Sequence, residues 1–218
     1  MSKLVDEHDS KSCGLTAMWV RVPPRAPIHM LQDKENLSYI IGVALGDGNL
    51  SNPNGRATRL RITCDTKYKN ILNRICLAIQ NLLPRNKVSI IKRAKTFCDI
   101  SCYSNKWEKW LGWTAKGGPK YKQNIAVPNW IIKNRKYSIA CLRGLLETDG
   151  SIYDDRGYKM VNFVTIIPGL AENVVNIIKK LGFRANIYKI KSKNSAKYTI
   201  RLSKNVGRFI QTIDFSKN

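Results

Sequence analysis

Ser138-Ile139-Ala140-Cys141-Leu142-Arg143-Gly144-Leu145-Leu146-Glu147-Thr148-Asp149-Gly150 has a counterpart earlier in the chain, Ser38-Tyr39-Ile40-Ile41-Gly42-Val43-Ala44-Leu45-Gly46-Asp47-Gly48. Each is a short apolar run with a glycine in its middle and an Asp-Gly at its end. Both read as helices. The two acids lie 102 residues apart, so each half of the chain carries one. A carboxylate at a helix C-terminus is disfavoured, because the helix dipole already places partial negative charge there. Repeating that arrangement makes physical sense if a cation sits between the acids.

The sequence around the two runs repeats as well. After Asp47 comes a turn-rich loop, Ser51-Asn52-Pro53-Asn54-Gly55, and a strand-like run from Arg59 to Cys64. Ile71, Leu72, Ile75, Ile79, Leu82 and Leu83 then recur at helical spacing. Strands are expected around Val88–Lys92 and Phe97–Tyr103, and a short helix around Trp107, Trp110 and Leu111. The second half gives a turn at Asp154-Asp155-Arg156-Gly157 and a strand at Lys159–Thr165. A helix over Leu170 to Leu181 closes at Gly182. Strands at Ala185–Ile190 and Lys197–Leu202 and a last helix with Val206, Phe209 and Ile210 complete it. Lys92 and Lys189 follow matching apolar pairs. The fold class expected is α+β, as two pseudo-symmetric αββαββα lobes with antiparallel sheets. The lobes span residues 36–111 and 138–218, and Gly117-Gly118-Pro119 and Val127-Pro128 mark residues 112–137 as a linker.

Residues 1–35 show no sustained periodicity and contain Pro23, Pro24 and Pro27, and a disordered leader is expected there. Within it, Trp19–Pro27 resembles a tRNA gene end translated by accident; an ordinary basic, proline-rich leader fits equally.

The chain has 38 Lys and Arg against 15 Asp and Glu, a net charge of +23. Residues 1–30 contribute only +1, so the excess belongs to the folded body. Such a body repels itself unless its partner is a polyanion, of which nucleic acid is the first candidate. No apolar run approaches a bilayer-spanning length, and an intracellular location, in cytoplasm, nucleoid or organelle matrix, is expected. Six cysteines occur without a Cys-x-x-Cys pair, which argues for buried thiols rather than a zinc site. The two histidines, His8 and His29, sit in the N-terminal segment, which argues against a His-centred nuclease or hydrolase site in the body.

The two motifs, their order and the pattern between them resemble the LAGLIDADG homing endonucleases in their single-chain, two-motif form. The resemblance spans roughly residues 37–212. It is sharpest over Leu142–Ile152 and in Val127-Pro128-Asn129-Trp130-Ile131 before the second motif. It implies curved sheets and lobes packed through their motif helices, with Gly42 and Gly144 allowing close approach and Gly46 and Thr148 keeping the same face small. It implies Asp47 and Asp149 as catalytic metal ligands, the carbonyls of Gly46 and Thr148 beside them, and Mg²⁺ as cofactor with Mn²⁺ as substitute. Lys92 and Lys189 match basic residues near the attacking water. One departure stands out: positions that are often polar in this family hold Cys64 with Asp65, and Ile166.

The implied activity is site-specific, metal-dependent double-strand cleavage of DNA at a long asymmetric site, by a monomer encoded in a mobile intron or free-standing. An RNA maturase acting on intron RNA, or a non-cleaving DNA-binding protein, is the alternative. DNA readout would fall to strand residues Arg59, Arg61, Lys189, Lys191, Lys197 and Arg201. The other alternation is expected to bury Leu60, Ile62, Ile190, Ile200 and Leu202.

Overall fold

The computed structural model describes residues 28–191, 196–215 and 217, the first five of them by backbone alone. The leader reading of residues 1–27 lies outside the described residues. From Ile28 onward the chain is already helical, which shortens the expected leader. Nothing between Pro27 and Gly42 breaks a helix, so α1 runs over Ile28–Gly46.

The first lobe continues with β1 (Gly48–Ser51), β2 (Arg59–Asp65), α2 (Lys69–Leu82), β3 (Val88–Lys92), β4 (Phe97–Tyr103) and α3 (Trp107–Leu111). A 3₁₀ turn at Lys120–Gln123 and a short helix α4 (Asn129–Ile132) cross to the second lobe. That lobe comprises α5 (Arg135–Asp149), β5 (Gly150–Asp155), β6 (Tyr158–Thr165), α6 (Pro168–Lys180), β7 (Asn186–Lys191), β8 (Ala196–Leu202) and α7 (Val206–Ile213). Two four-stranded antiparallel sheets result, ordered β1-β2-β4-β3 and β5-β6-β8-β7.

Local chemistry sets the boundaries. Asn134 caps α5, its Oδ1 accepting from the Tyr137 amide at 3.2 Å. Pro168 opens α6 at a position where no amide donor is needed. Gly182, at φ +89°, closes it. Arg156 and Gly157 both have positive φ, as a two-residue hairpin turn between β5 and β6 requires.

One side of each sheet is apolar and covered by helices. In the first lobe Leu60, Ile62 and Ile100 are buried in the same core as Ile71, Ile75 and Ile79 of α2; in the second, Phe163, Ile200 and Leu202 are buried with Leu170, Val174 and Ile177 of α6. The opposite faces are left uncovered. Between the lobes, α1 and α5 pack directly against each other. A methyl at Gly42 would lie 2.0 Å from the Cys141 carbonyl oxygen, and one at Gly144 2.4 Å from that of Tyr39. The two backbones are therefore in contact where the sequence places its helical glycines, each of which costs about 1 kcal/mol against alanine in an isolated helix.

The pairing register corrects one expectation. In antiparallel strands, directly paired residues share a face. Lys189 pairs with Tyr198, Ile187 with Ile200 and Lys191 with Ala196, so Lys189 and Lys191 lie on the helix side of the sheet. Ile190 pairs with Lys197 and is exposed at 58% on the open side. The run Ile187-Tyr188-Lys189-Ile190 does not alternate, so its parity is set by pairing with β8. Lys197 and Arg201 stand on the open face, as do Arg59 and Arg61, which pair with Ser51 and Asn49.

Candidate metal centre and nucleic-acid face

Packing α1 on α5 brings the ends of both motif helices together. A methyl at Gly46 would sit 2.1 Å from Thr148 Oγ1 and 3.1 Å from Asp149 Oδ2. The Asp149 carboxylate thus abuts the helix end that carries Asp47. Both acids open to solvent yet are flanked closely by protein. That partial burial is the first cause raising both above the usual carboxylate range. Asp149, further raised by the Asp47 charge, is pushed up to about 6. Beside Asp149 opens a cavity of about 380 Å³, bounded by Leu45, Lys120, Tyr121, Thr165 and Ile166 among others.

The cations facing these acids are Lys120 and Lys217. Lys120 Nζ donates to the carbonyl oxygens of Ala44 at 3.2 Å, Leu45 at 2.8 Å and Gly46. Lys217 Nζ donates to those of Thr148 at 2.9 Å and Gly150. Each lysine thus covers the negative end of one motif helix. Burial pulls both ammonium groups below the usual lysine range, although the two carboxylates act in the opposite direction. Neither lysine was legible in the sequence as a site residue: each reaches its carbonyls across 67 or more positions.

Lys92 and Lys189 occupy equivalent places in the two sheets. Lys92 pairs with Cys98, which pairs with Cys64; Lys189 pairs with Tyr198, which pairs with Thr165. Both are at the outer end of a cross-strand row on the helix side, on exposed edge strands. The inner members of these rows adjoin the acids. The Asp47 charge is felt at Cys64, whose thiol is pushed up to about 12, chiefly by burial, and Thr165 lines the cavity beside Asp149. At neutral pH the Cys64 thiol is therefore protonated and contributes no charge. Ile166 is 47% exposed at the rim of the same cavity.

A third polar group behind the acids went unnoticed in the sequence. Glu147, 4% exposed, accepts from Tyr39 Oη at 2.6 Å and from Arg74. Arg74 and Arg143 both pair with Asp214 at 3.4 Å. This network ties α1, α2, α5 and the end of α7 together. Burial raises the Glu147 carboxyl despite Tyr39 and the two arginines.

On the open faces the lobes differ. In the first, Asp99 accepts from Thr63 at 2.8 Å and Arg93 at 2.8 Å. In the second, the cross-strand partners Asn162 and Arg201 keep polar atoms without a partner, Oδ1 and Nε respectively. The Arg201 guanidinium stacks over Tyr188, 5.7 Å from its ring centre.

Does this chemistry fit a divalent cation? The donors are all oxygens: two carboxylates and several helix-end carbonyls. Among the described residues no cluster of three or more His, Cys, Asp or Glu forms. Oxygen donors of this kind suit a hard ion such as Mg²⁺, which accepts few protein ligands plus waters and phosphates. The two ammonium groups stand in for cationic charge at those carbonyls. The residues fit a hard divalent ion. No helix among the described residues is long and apolar enough to cross a membrane.

Two family profiles match: the LAGLIDADG-like domain over residues 136–214 and the WhiA LAGLIDADG-like domain over residues 36–98. Among solved structures, the homing endonuclease I-DmoI in complex with DNA and Mn superposes with a TM-score of 0.60 at 21% identity, covering 85% of this chain and 99% of that one. The complex of I-DmoI with DNA and Ca gives 0.62 at 21%, covering 85% and 92%. Full-length DUF199/WhiA from Thermatoga maritima gives 0.59 at 16%, covering 88% of this chain and 63% of that one. No curated protein matches the sequence. At these identities the structural likenesses speak for fold, and the two profiles, one on each lobe, speak for family. The chain is a LAGLIDADG protein of the single-chain, two-motif form.

Proposed function

We propose that this protein is a site-specific, divalent-metal-dependent endonuclease that cuts both strands of a long asymmetric DNA site as a monomer. The observation that carries this reading is the convergence of Asp47 and Asp149 at the abutting ends of two motif helices, on a body of strongly positive charge. DNA binding follows from the two open sheet faces. Arg59, Arg61, Lys197 and Arg201 stand on them at strand spacing, and such ribbons fit a major groove. I-DmoI, with the same fold, is seen in complex with DNA and with Mn or Ca.

Asp47 and Asp149 would hold Mg²⁺, or Mn²⁺ in its place, together with the carbonyls of Gly46 and Thr148. Such an ion polarises a scissile phosphodiester and acidifies the attacking water. The chain's own groups do the rest. The sheet faces bind and orient the duplex so that one phosphate of each strand lies at the acids. Lys120 and Lys217, the cations that face both acids, support negative charge developing at the attacked phosphate, whereas Lys92 and Lys189 stand at the outer ends of the Cys64 and Thr165 rows, two strands away. Asp149 must be ionised to act as a ligand, so binding of the ion strengthens as pH rises through about 6.

A second reading, a DNA-binding protein that does not cleave, draws on Cys64 and Ile166. These are poor groups for ordering water beside the acids. Supercoiled plasmid carrying the uninterrupted genomic locus separates the two. The endonuclease reading predicts linear product with Mg²⁺ and none with a chelator. Retention of the plasmid without a strand break in Mg²⁺ or Mn²⁺ supports the second.

A further inference from the structure

Lys92 and Lys189 mark equivalent rows in the two sheets, and the open faces differ in the rows beside them. There Thr63, Asp99 and Arg93 of the first lobe correspond to Val164, Thr199 and Ile190 of the second. Thr63 pairs with Asp99 as Val164 does with Thr199, and Arg93 and Ile190 directly follow the two lysines. In the first lobe the three side chains are joined. Asp99, 5% exposed, accepts from Thr63 Oγ1 and Arg93 Nε, each at 2.8 Å. In the second lobe the same three places hold two apolar side chains and a threonine, and each carries a methyl.

Strand alternation turns these methyls outward. Phe163 and Ile200 are buried on the helix side, so Val164 and Thr199, one residue along, face the open side. Both are half-buried there, while Ile190 is 58% exposed and Tyr188, paired with Thr199, is 49% exposed. The second face thus shows solvent a small apolar patch, bounded by Lys197 on one side and by the polar pair Asn162 and Arg201 on the other. Ile91 and Phe97, the counterparts of Tyr188 and Lys197, give the first face apolar surface too, but around a charged, hydrogen-bonded trio. An apolar patch on a strongly positive surface suits a polyanion that itself carries methyl groups. In the major groove of DNA that group is the C5-methyl of thymine.

We propose that Val164, Thr199 and Ile190 form a thymine-reading patch, and that the half-site under the second lobe is selected through the C5-methyl groups of its thymines. At the equivalent place the first lobe presents the Arg93 guanidinium, fixed by Asp99, a group suited to the O6 and N7 acceptors of guanine. The proposal rests on the reading that the open faces enter the major groove of duplex DNA, and it names the bases that one of them takes. Removing one methyl from such a contact loses the burial of a single carbon, roughly a fourfold change in affinity.

The test begins with a pool of random-sequence duplexes, from which the full chain selects its tightest binders in Ca²⁺. In the selected duplex each thymidine is replaced in turn by 2′-deoxyuridine, which keeps base pairing and removes only the methyl. The wild type should lose roughly fourfold in affinity at each of a few thymidines clustered in one half-site. In Ile190→Ala, and separately in Val164→Ala, at least one of those replacements should cost nothing, because the methyl has lost its partner. Ile91→Ala, on the equivalent edge strand of the first lobe, should keep every one of the losses. If Val164→Ala does not fold, Ile190→Ala, altered at an exposed position, decides the matter alone. If no deoxyuridine replacement changes affinity, or if the losses persist in the Ile190 and Val164 variants, the proposal is overturned while site-specific DNA binding stands. Disappearance of the same losses in Ile91→Ala also overturns it. A pool from which no sequence is enriched overturns both readings.

Discussion

The two lobes are alike where they touch each other and unlike on their open sheet faces. At the interface, Gly42 and Gly144 are equivalents, each pressed against the other helix's backbone. Asp47 and Asp149 are equivalents, and so are the lysines that cover their helix ends. On the outer faces the match lapses. Asp99 of the first lobe is satisfied by Thr63 and Arg93, whereas Asn162 and Arg201 of the second retain unpartnered atoms. Cys64 beside Asp47 is a neutral thiol, and its counterpart Thr165 opens on a cavity. Backbone contact and charge balance admit few solutions, so the lobes keep them in common. The open sheet faces carry no such constraint and differ.

The comparison breaks most completely at its shared element. Gly42→Ala or Gly144→Ala forces a methyl into backbone of the opposite motif helix, and neither variant should give a cooperatively folded protein by thermal melting. Gly169→Ala and Gly207→Ala, where a methyl meets nothing within 4 Å, should be neutral or stabilise by about 0.5 kcal/mol. Equal behaviour of the two pairs would mean that the lobes do not meet through those glycines.

Glu147 is the next largest effect and an asymmetry within the interface. The first motif has Leu45 at the equivalent place, also buried. Glu147→Ala strips Tyr39 and Arg74 of their buried partner and should cost about 3 kcal/mol or more in chemical denaturation. A loss below about 1 kcal/mol, the scale of an exposed pair, would show that the network is not buried in solution.

A smaller effect belongs to the open faces. Arg201→Ala should weaken binding of the cognate duplex by about 1–3 kcal/mol and relax preference at bases of one half-site only. Lys116→Ala, on the exposed linker, should weaken binding alike on all sequences and reduce its salt dependence. If Arg201→Ala changes affinity uniformly, it holds backbone and reads no base.

Much of this molecule was legible because its constraints are local or periodic. Helical spacing gave α2 and α6, turn chemistry gave Arg156-Gly157, and two glycines inside apolar helices had no reason to be there except close packing. Strand parity failed at β7, since Ile187-Tyr188-Lys189-Ile190 offers an apolar residue to either face and only the partner strand chooses. The leader reading extended too far because residues 28–35 carry no apolar stripe, and the helix there continues from a well-packed one. Lys120, Lys217 and the Glu147 network were invisible for a different reason. Their partners lie far away in sequence, and a lysine among 38 Lys and Arg residues gives no signal of its own.

The central claim is that Asp47 and Asp149 form one centre serving both strands. It is tested most directly by Asp47→Asn and Asp149→Asn, assayed for linearisation of cognate plasmid in Mg²⁺ and for duplex binding in Ca²⁺. The account predicts that each substitution alone lowers linearisation by roughly 10³-fold, while binding stays within about threefold of wild type. Linearisation at wild-type rate by either variant would contradict it.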